Sequence, residues 1–390
     1  MKANQSYNDI IINLYNSISK YAALWTKQHN DLRVSFKQFT NDELSLVPNI
    51  HYYDELILEK IKTYNKAIYS YQFKTDNRDI HIHFITTDNK NEEEKEIREH
   101  TKKIFIWMHI IENFTNIQCS RKLNIFLFRT PLLKLMPREF GATISTENVN
   151  SAFTFSCNMQ NNIHIFRKEE WFKVFIHECF HNLGLDFSKI DNRFSDKHIA
   201  LLFPLQIDFR LYESYCESWA LLVNSVFCSY FENPKQTSNM VLKKVDKILN
   251  RERQFSLFQC SKILHHFGMS YTDLYAKSEG ASFARLNRYK EDTPVLSYFF
   301  IKTIIVLHYS EFIQWCNTNN DNPFMFMTTD DENTYKKIEK FVDFIKDIYQ
   351  SKNVLSAMEN SMIKFKEQLK IGDLNDTYEI RNLRMSITDT

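Results

Sequence analysis

The run Phe175-Ile176-His177-Glu178-Cys179-Phe180-His181 contains the pattern H-E-x-x-H. On a helix, residues four apart lie one turn above one another on the same face. His177 and His181 can therefore turn ring nitrogens toward one cation, and two imidazoles at that spacing suit Zn²⁺. Glu178 is rotated to the side of the pair. It is badly placed to ligate the same ion but well placed to take a proton from a water polarised by it. With 13 His in 390 residues, random placement gives about 0.03 such matches. The competing interpretation is a partly polar helix face with two histidines and an exposed glutamate. The apolar neighbours Val174, Phe175 and Phe180 argue against it.

A catalytic zinc needs a third protein ligand and an open fourth position. In the metzincin spacing the third ligand stands six residues after the second His, where this chain has Phe187, with Asp186 one residue off register. The gluzincin pattern takes a Glu from a later helix. Tyr212-Glu213-Ser214-Tyr215-Cys216-Glu217-Ser218-Trp219-Ala220 offers two, one turn apart. Glu217 is the first choice, because it lies closer to the apolar body of its helix. Glu213 is the alternative, as ligand or as a partner for a ligating His, and Asp186 is a further one. Two solvated carboxylates would be the bland interpretation. Stabilising a developing oxyanion calls for a donor. Tyr298, after the turn-like Asp292-Thr293-Pro294, is preferred over Tyr212, Tyr215, His265, His266 and Tyr271. His81 and His83, and the thiols of Cys179 and Cys216, are assigned to structure.

With these residues in view, the chain resembles the gluzincin clan of zinc metallopeptidases. Arg167–Phe187, together with Glu217-Ser-Trp-Ala220 and Glu291–Tyr298, looks similar to metallopeptidase-like proteins of nucleocytoplasmic large DNA viruses. The likeness covers about residues 140–310, and the H-E-x-x-H block is its specific part. It implies a viral, zinc-dependent, peptidase-like protein acting on a peptide or protein, in the host cytoplasm or carried in a virion. A non-catalytic structural or host-interaction protein on the same fold is the rival expectation.

Elements must hold these residues in place. Asp79–Thr87 alternates as a strand, Asn91–Asn113 has helical spacing, and Leu123–Phe128 is a strand. Val149–Phe155 and Ile163–Phe166 are shorter strand candidates. Asn162–Arg167, just before the motif helix, is expected to be an edge strand of the kind that pairs with substrate. The motif helix, Lys168–Leu183, should stop at Gly184. Residues 1–75 read as mostly helical, through Ile11, Leu14, Ile18 and Ala22. Beyond Gly184 the pattern is helical over Ile207–Tyr230, Gln254–Phe267, Val295–Trp315, Thr334–Tyr349 and Val354–Leu369. The expected fold is a zincin-like α+β protein with a small mixed sheet. Its divisions are a helical region 1–75, an upper subdomain 76–190, a helical lower subdomain 191–370 and a loose tail 371–390.

Composition narrows the function classes. Lys+Arg (49) and Asp+Glu (48) nearly cancel, against the basic excess of a dedicated nucleic-acid binder. Five Gly and seven Pro exclude collagen-like and Pro-rich architectures. No apolar run reaches membrane-span length, and no signal-peptide core is seen. Seven Cys without a C-x-x-C pair suggest neither a disulfide framework nor a thiolate zinc module, hence a reducing, cytoplasmic setting.

Overall fold

Six strands form one mixed sheet: β1 (Arg33–Gln38), β2 (Ala67–Lys74), β3 (Asp79–Thr86), β4 (Lys122–Phe128), β5 (Ala152–Thr154) and β6 (Gln160–Ile165), in the order β1-β2-β3-β4-β6-β5. They belong to a computed structural model that describes residues 2–87, 90–326, 332–371 and 377–389. β1, β2 and β3 are antiparallel neighbours, β3, β4 and β6 run parallel, and β5 is antiparallel to β6. The parallel β3–β4 pair requires a crossover, and a helix of 22 residues, Lys90–Ile111, supplies it.

The helices that matter to the site are numbered in chain order: α1 (Lys2–Gln28), α2 (Glu55–Tyr64), α3 (Lys90–Ile111), α4 (Trp171–Asn182), α5 (Tyr212–Glu232), α6 (Ser238–His266), α7 (Lys302–Leu307), α8 (Tyr309–Asn319), α9 (Glu332–Ile348) and α10 (Lys352–Ile371). On one sheet face Ile80, Ile82 and Phe84 of β3 join the main core with α1, α3, α4 and α5. On the other, Ile85, Phe126 and Phe128 pack with Ile57 and Ile61 of α2 in a second, smaller cluster. α5 is buried nearly all round from Glu213 to Phe227, the mark of a central core helix. No single helix among the described residues is long and apolar enough to cross a membrane.

The α+β class agrees with the sequence; several details do not. Residues 1–75 contain two strands as well as helices, and β2 pairs along its length with β3 across position 75. β1 is exposed on both faces, so it lacks the in–out burial that marks a half-buried strand. β2 does alternate from Tyr69 to Lys74, with Tyr69, Tyr71 and Phe73 inward, a signal that the mostly helical reading of 1–75 passed over. Val149–Phe155 shortens to β5, because Ser145 and Asn148 cap a helical turn at Thr146–Val149. β6 lies inside the sheet, between β4 and β5, so the edge next to the motif helix is β5. Val295–Trp315 is broken: a π-helical turn Leu296–Ile301 leads into α7, and α8 departs after His308 with a 94° bend.

The end of the chain is a docked strap. Leu383, Met385 and Ser386 are buried. The Met385 and Ser386 amides donate to Glu170 Oε1 at 2.8 and 2.6 Å, and the Thr388 amide donates to Glu252 Oε1 at 2.9 Å. The partners that hold it lie up to 216 residues away in sequence, which local periodicity cannot reveal. Residues 372–376 of the expected tail lie outside the described residues.

A further correction concerns cysteine. Cys119 and Cys157 form a disulfide between the loop before β4 and the loop between β5 and β6, so the cysteine pattern no longer argues for a reducing compartment. It packs against the end of the motif helix. A Cβ on Gly184 would lie 3.2 Å from Cys157 Cβ and 3.3 Å from Cys119 Sγ, and Gly184 has φ +69°. Both facts require glycine there. The other five cysteines are free.

Candidate metal centre

α4 starts after Glu170, which takes a left-handed φ of 56°, three residues later than the expected Lys168, and ends at Asn182, with Leu183 as its cap and Gly184 following as the expected stop. The Cys157 amide donates to His181 O at 3.3 Å and the Asn182 side-chain amide to Thr154 Oγ1 at 2.8 Å. These tie the C-terminal turn of α4 to the disulfide loop and to β5. α5 crosses α4 at the level of the two histidines, and three ligand atoms converge there. His177 Nε2 and His181 Nε2 are 3.0 Å apart. Glu213 Oε2 lies 3.1 Å from the first and 3.2 Å from the second. The edges of a tetrahedron around zinc, with bonds of about 2.0–2.1 Å, are about 3.3–3.4 Å. The triangle is thus slightly tighter than a filled site and has the right donor set, two imidazole nitrogens and a carboxylate. Glu213 Oε2 is buried with the two Nε2 atoms at ion-pair distance but no well-aligned hydrogen bond, an arrangement that a shared cation would complete.

This placement corrects the first choice for the third ligand. Glu213 joins the two Nε2 atoms, and Glu217 does not. Glu217 lies one turn further along α5, where its Oε1 is 2.9 Å from the opposite nitrogen of His177, Nδ1. Its Oε2 pairs with Lys173 Nζ. Proximity to the apolar body of α5 selected Glu217 from sequence; the crossing point of the two helices selects Glu213. Asp186 plays the matching part for the other ring, accepting from His181 Nδ1. Cys216, taken from sequence as core, reaches the same carboxylate, with Sγ 3.5 Å from Asp186 Oδ2. Each imidazole therefore has one nitrogen facing Glu213 and the other facing a buried carboxylate, which fixes ring orientation and raises ligand basicity. Lys173 was not anticipated. Its signal was present, since it stands four residues before His177 on one face of α4.

The electrostatics favour a cation. Glu178, Asp186, Glu213 and Glu217 are all buried, and Lys173 is the lysine in direct contact with them. Burial by itself raises a carboxyl pKa. At Glu213 the imidazoles of His181 and His177 more than offset burial and bring it down to about 2. At Glu217 burial is outweighed by Lys173 and His177, and the carboxyl falls well below its usual range. Glu178 goes the other way. Burial raises it despite the neighbouring histidines, as suits a group that must accept a proton and hold it. Its carboxylate has no hydrogen-bond partner among the described residues.

Two of the tyrosines named from sequence reach the site. Tyr298, on the π-helical turn, has its ring centroid 6.2 Å from that of His177. Tyr212 stands 5.6 Å from the ring of His181. The remaining candidates are occupied elsewhere. Tyr215 donates to Phe324 O, Tyr271 to Tyr349 O, and His266 Nε2 bonds Ala142 O, while His265 packs on Phe140 and Phe365. His81 and His83 lie on the sheet, against Asp79 and Ser70. π-Helical turns are rare and recur at functional sites.

Glu291 anchors the turn that carries Tyr298. Its Oε2 accepts from the Tyr289 hydroxyl at 2.6 Å and from the Leu296 amide at 2.9 Å, while Oε1 is buried without a partner. Burial pushes this carboxyl up to about 8 from an ordinary 4.5. The folded state therefore holds a proton that the unfolded chain releases above about pH 4.5. This contribution to stability is fully present below that pH and is lost as pH rises toward 8. Urea midpoints should fall over that window in the wild type and fall less in Glu291→Gln. Equal pH slopes for the two proteins would remove Glu291 from this role.

Comparison with family models, with characterised proteins and with solved structures finds no match.

Proposed function

We propose that the chain is a zinc-dependent peptidase, with His177, His181 and Glu213 holding the ion. The observation that carries this reading is the convergence of two Nε2 atoms and one carboxylate oxygen in a buried, carboxylate-rich site. Zinc bound there supplies Lewis acidity and lowers the pKa of a water. Glu178 takes the proton from the attacking water and passes it to the leaving amine. Tyr298 and Tyr212 flank the histidines and are the available hydroxyl donors for the developing oxyanion. β5 forms the sheet edge tied to α4, and an extended peptide can add to such an edge through its backbone. The resemblance noted in the sequence points the same way, toward a peptidase of viral type.

The test is metal content and peptide turnover. The purified chain should carry one zinc, and removing it with a chelator should stop hydrolysis of a mixed peptide library while leaving the helical circular dichroism largely unchanged. The fold has an extensive core of its own apart from the site. A zinc-replete preparation without zinc would refute the metal reading. Full zinc without cleavage of any library member would favour the non-catalytic interaction protein.

A further inference from the structure

Away from the candidate centre, α6 and α10 run side by side and leave a groove of about 960 Å³ between them. Lys243, Lys247 and Arg251 stand on its α6 rim and Lys364 on its α10 rim. All four are exposed, and none has an ion-pair partner among the described residues. The one carboxylate in the lining, Asp246, accepts a hydrogen bond from the Tyr7 hydroxyl at 3.0 Å. The floor is apolar. Phe255 and Phe258 are half-buried in it, and the Phe258 ring is braced edge-on by Phe365 at 5.4 Å. Ile387 of the docked strap also lines the groove and is 41% exposed. An unpaired basic rim over an aromatic floor is thus built from three separate parts of the chain.

We infer that this groove docks an acidic amphipathic helix of a partner protein. The argument is charge and spacing. Lys243, Lys247 and Arg251 follow one another at four-residue steps, so they repeat every ~6 Å along α6. Carboxylates at the same step on another helix repeat at the same distance and can meet all three. The α6 wall from Lys243 to Phe258 is about 22 Å long, room for a helix of about 15 residues. A third helix laid into the furrow between two others places its apolar ridge on the floor and its charged flank on the rim. Four unpaired cations oppose one engaged carboxylate, so complementarity selects an acidic ligand and steers its approach.

The experiment uses the full chain and a fluorescein-labelled peptide of about 15 residues, with Glu at four-residue steps and Leu on the adjoining face. Fluorescence anisotropy should show it binding at least about 10-fold more tightly than a scrambled peptide of identical composition, with affinity falling as salt rises. Lys243→Glu/Lys247→Glu/Arg251→Glu should weaken binding by about 10-fold or more, and the α10 variant Lys364→Glu should weaken it to a lesser degree. These four residues are exposed, and unchanged circular dichroism confirms the fold of each variant. Equal binding of the scrambled peptide would reduce the groove to a charge patch and overturn the proposal. So would wild-type affinity in both variants, or displacement of the peptide by a single-stranded oligouridylate at lower concentration than by unlabelled peptide. The last result would assign the groove to nucleic acid.

Discussion

Glu213→Ala should lower zinc affinity by more than about 100-fold, whereas Glu217→Gln should lower it by only about 10–100-fold, the usual cost of losing a partner behind a ligand. The difference rests on which nitrogen each carboxylate faces. Glu213 Oε2 faces Nε2 of both histidines, and Glu217 faces Nδ1 of His177 alone. Stability should respond in the opposite order. Glu217→Gln strands the Lys173 ammonium in the core, and breaking a buried pair from one side costs about 3–5 kcal/mol. Lys173→Met/Glu217→Gln should recover much of that loss, because it removes both charges together. Zinc titration against a competing chelator, with urea unfolding of the metal-free proteins, measures both effects. A larger affinity loss for the Glu217 variant than for the Glu213 variant would reverse the ligand assignment.

The second large effect is on rate. Glu178→Gln should retain zinc and fold while losing about 10²–10⁴-fold in peptide hydrolysis, the usual contribution of general acid–base catalysis. Glutamine is nearly isosteric with glutamate but cannot take and return a proton. Glu178 is set apart from Glu213 and Glu217 in that its pKa is raised while theirs are depressed. Two of these carboxylates are thus committed to cations and one is kept ready for a proton. The acid limb of the pH–rate profile should carry the Glu178 titration and vanish with it in the variant. Cleavage by Glu178→Gln at the wild-type rate would sink the mechanism, whatever the metal content.

The chemistry on α4 was legible in the sequence because it is local. His177, Glu178 and His181 lie within five residues, and helical geometry alone puts the two rings on one face. Gly184 as the stop of that helix was equally local, since helices commonly end on a residue of positive φ, which glycine takes at no steric cost. The strands β3 and β4 and the helix between them were readable for the same reason, each carrying its own periodicity. The pair Glu213 and Glu217 was also visible, as two carboxylates on a buried helix. Which of them meets the histidines was not, because periodicity gives a helix its face but not the height at which another helix crosses it. The crossing of α4 and α5 puts Glu213 at the rings' Nε2 atoms and leaves Glu217 one turn away, with Lys173 and Nδ1. The same limit applies to the Cys119–Cys157 bond, which depends on two loops meeting under Gly184. It applies also to the strap at 377–389, whose polar residues look like a solvated tail until Glu170 and Glu252 accept its amides. Spacing along one element determined what chemistry the chain carries; the packing of elements distant in sequence decided which carboxylate faces which nitrogen.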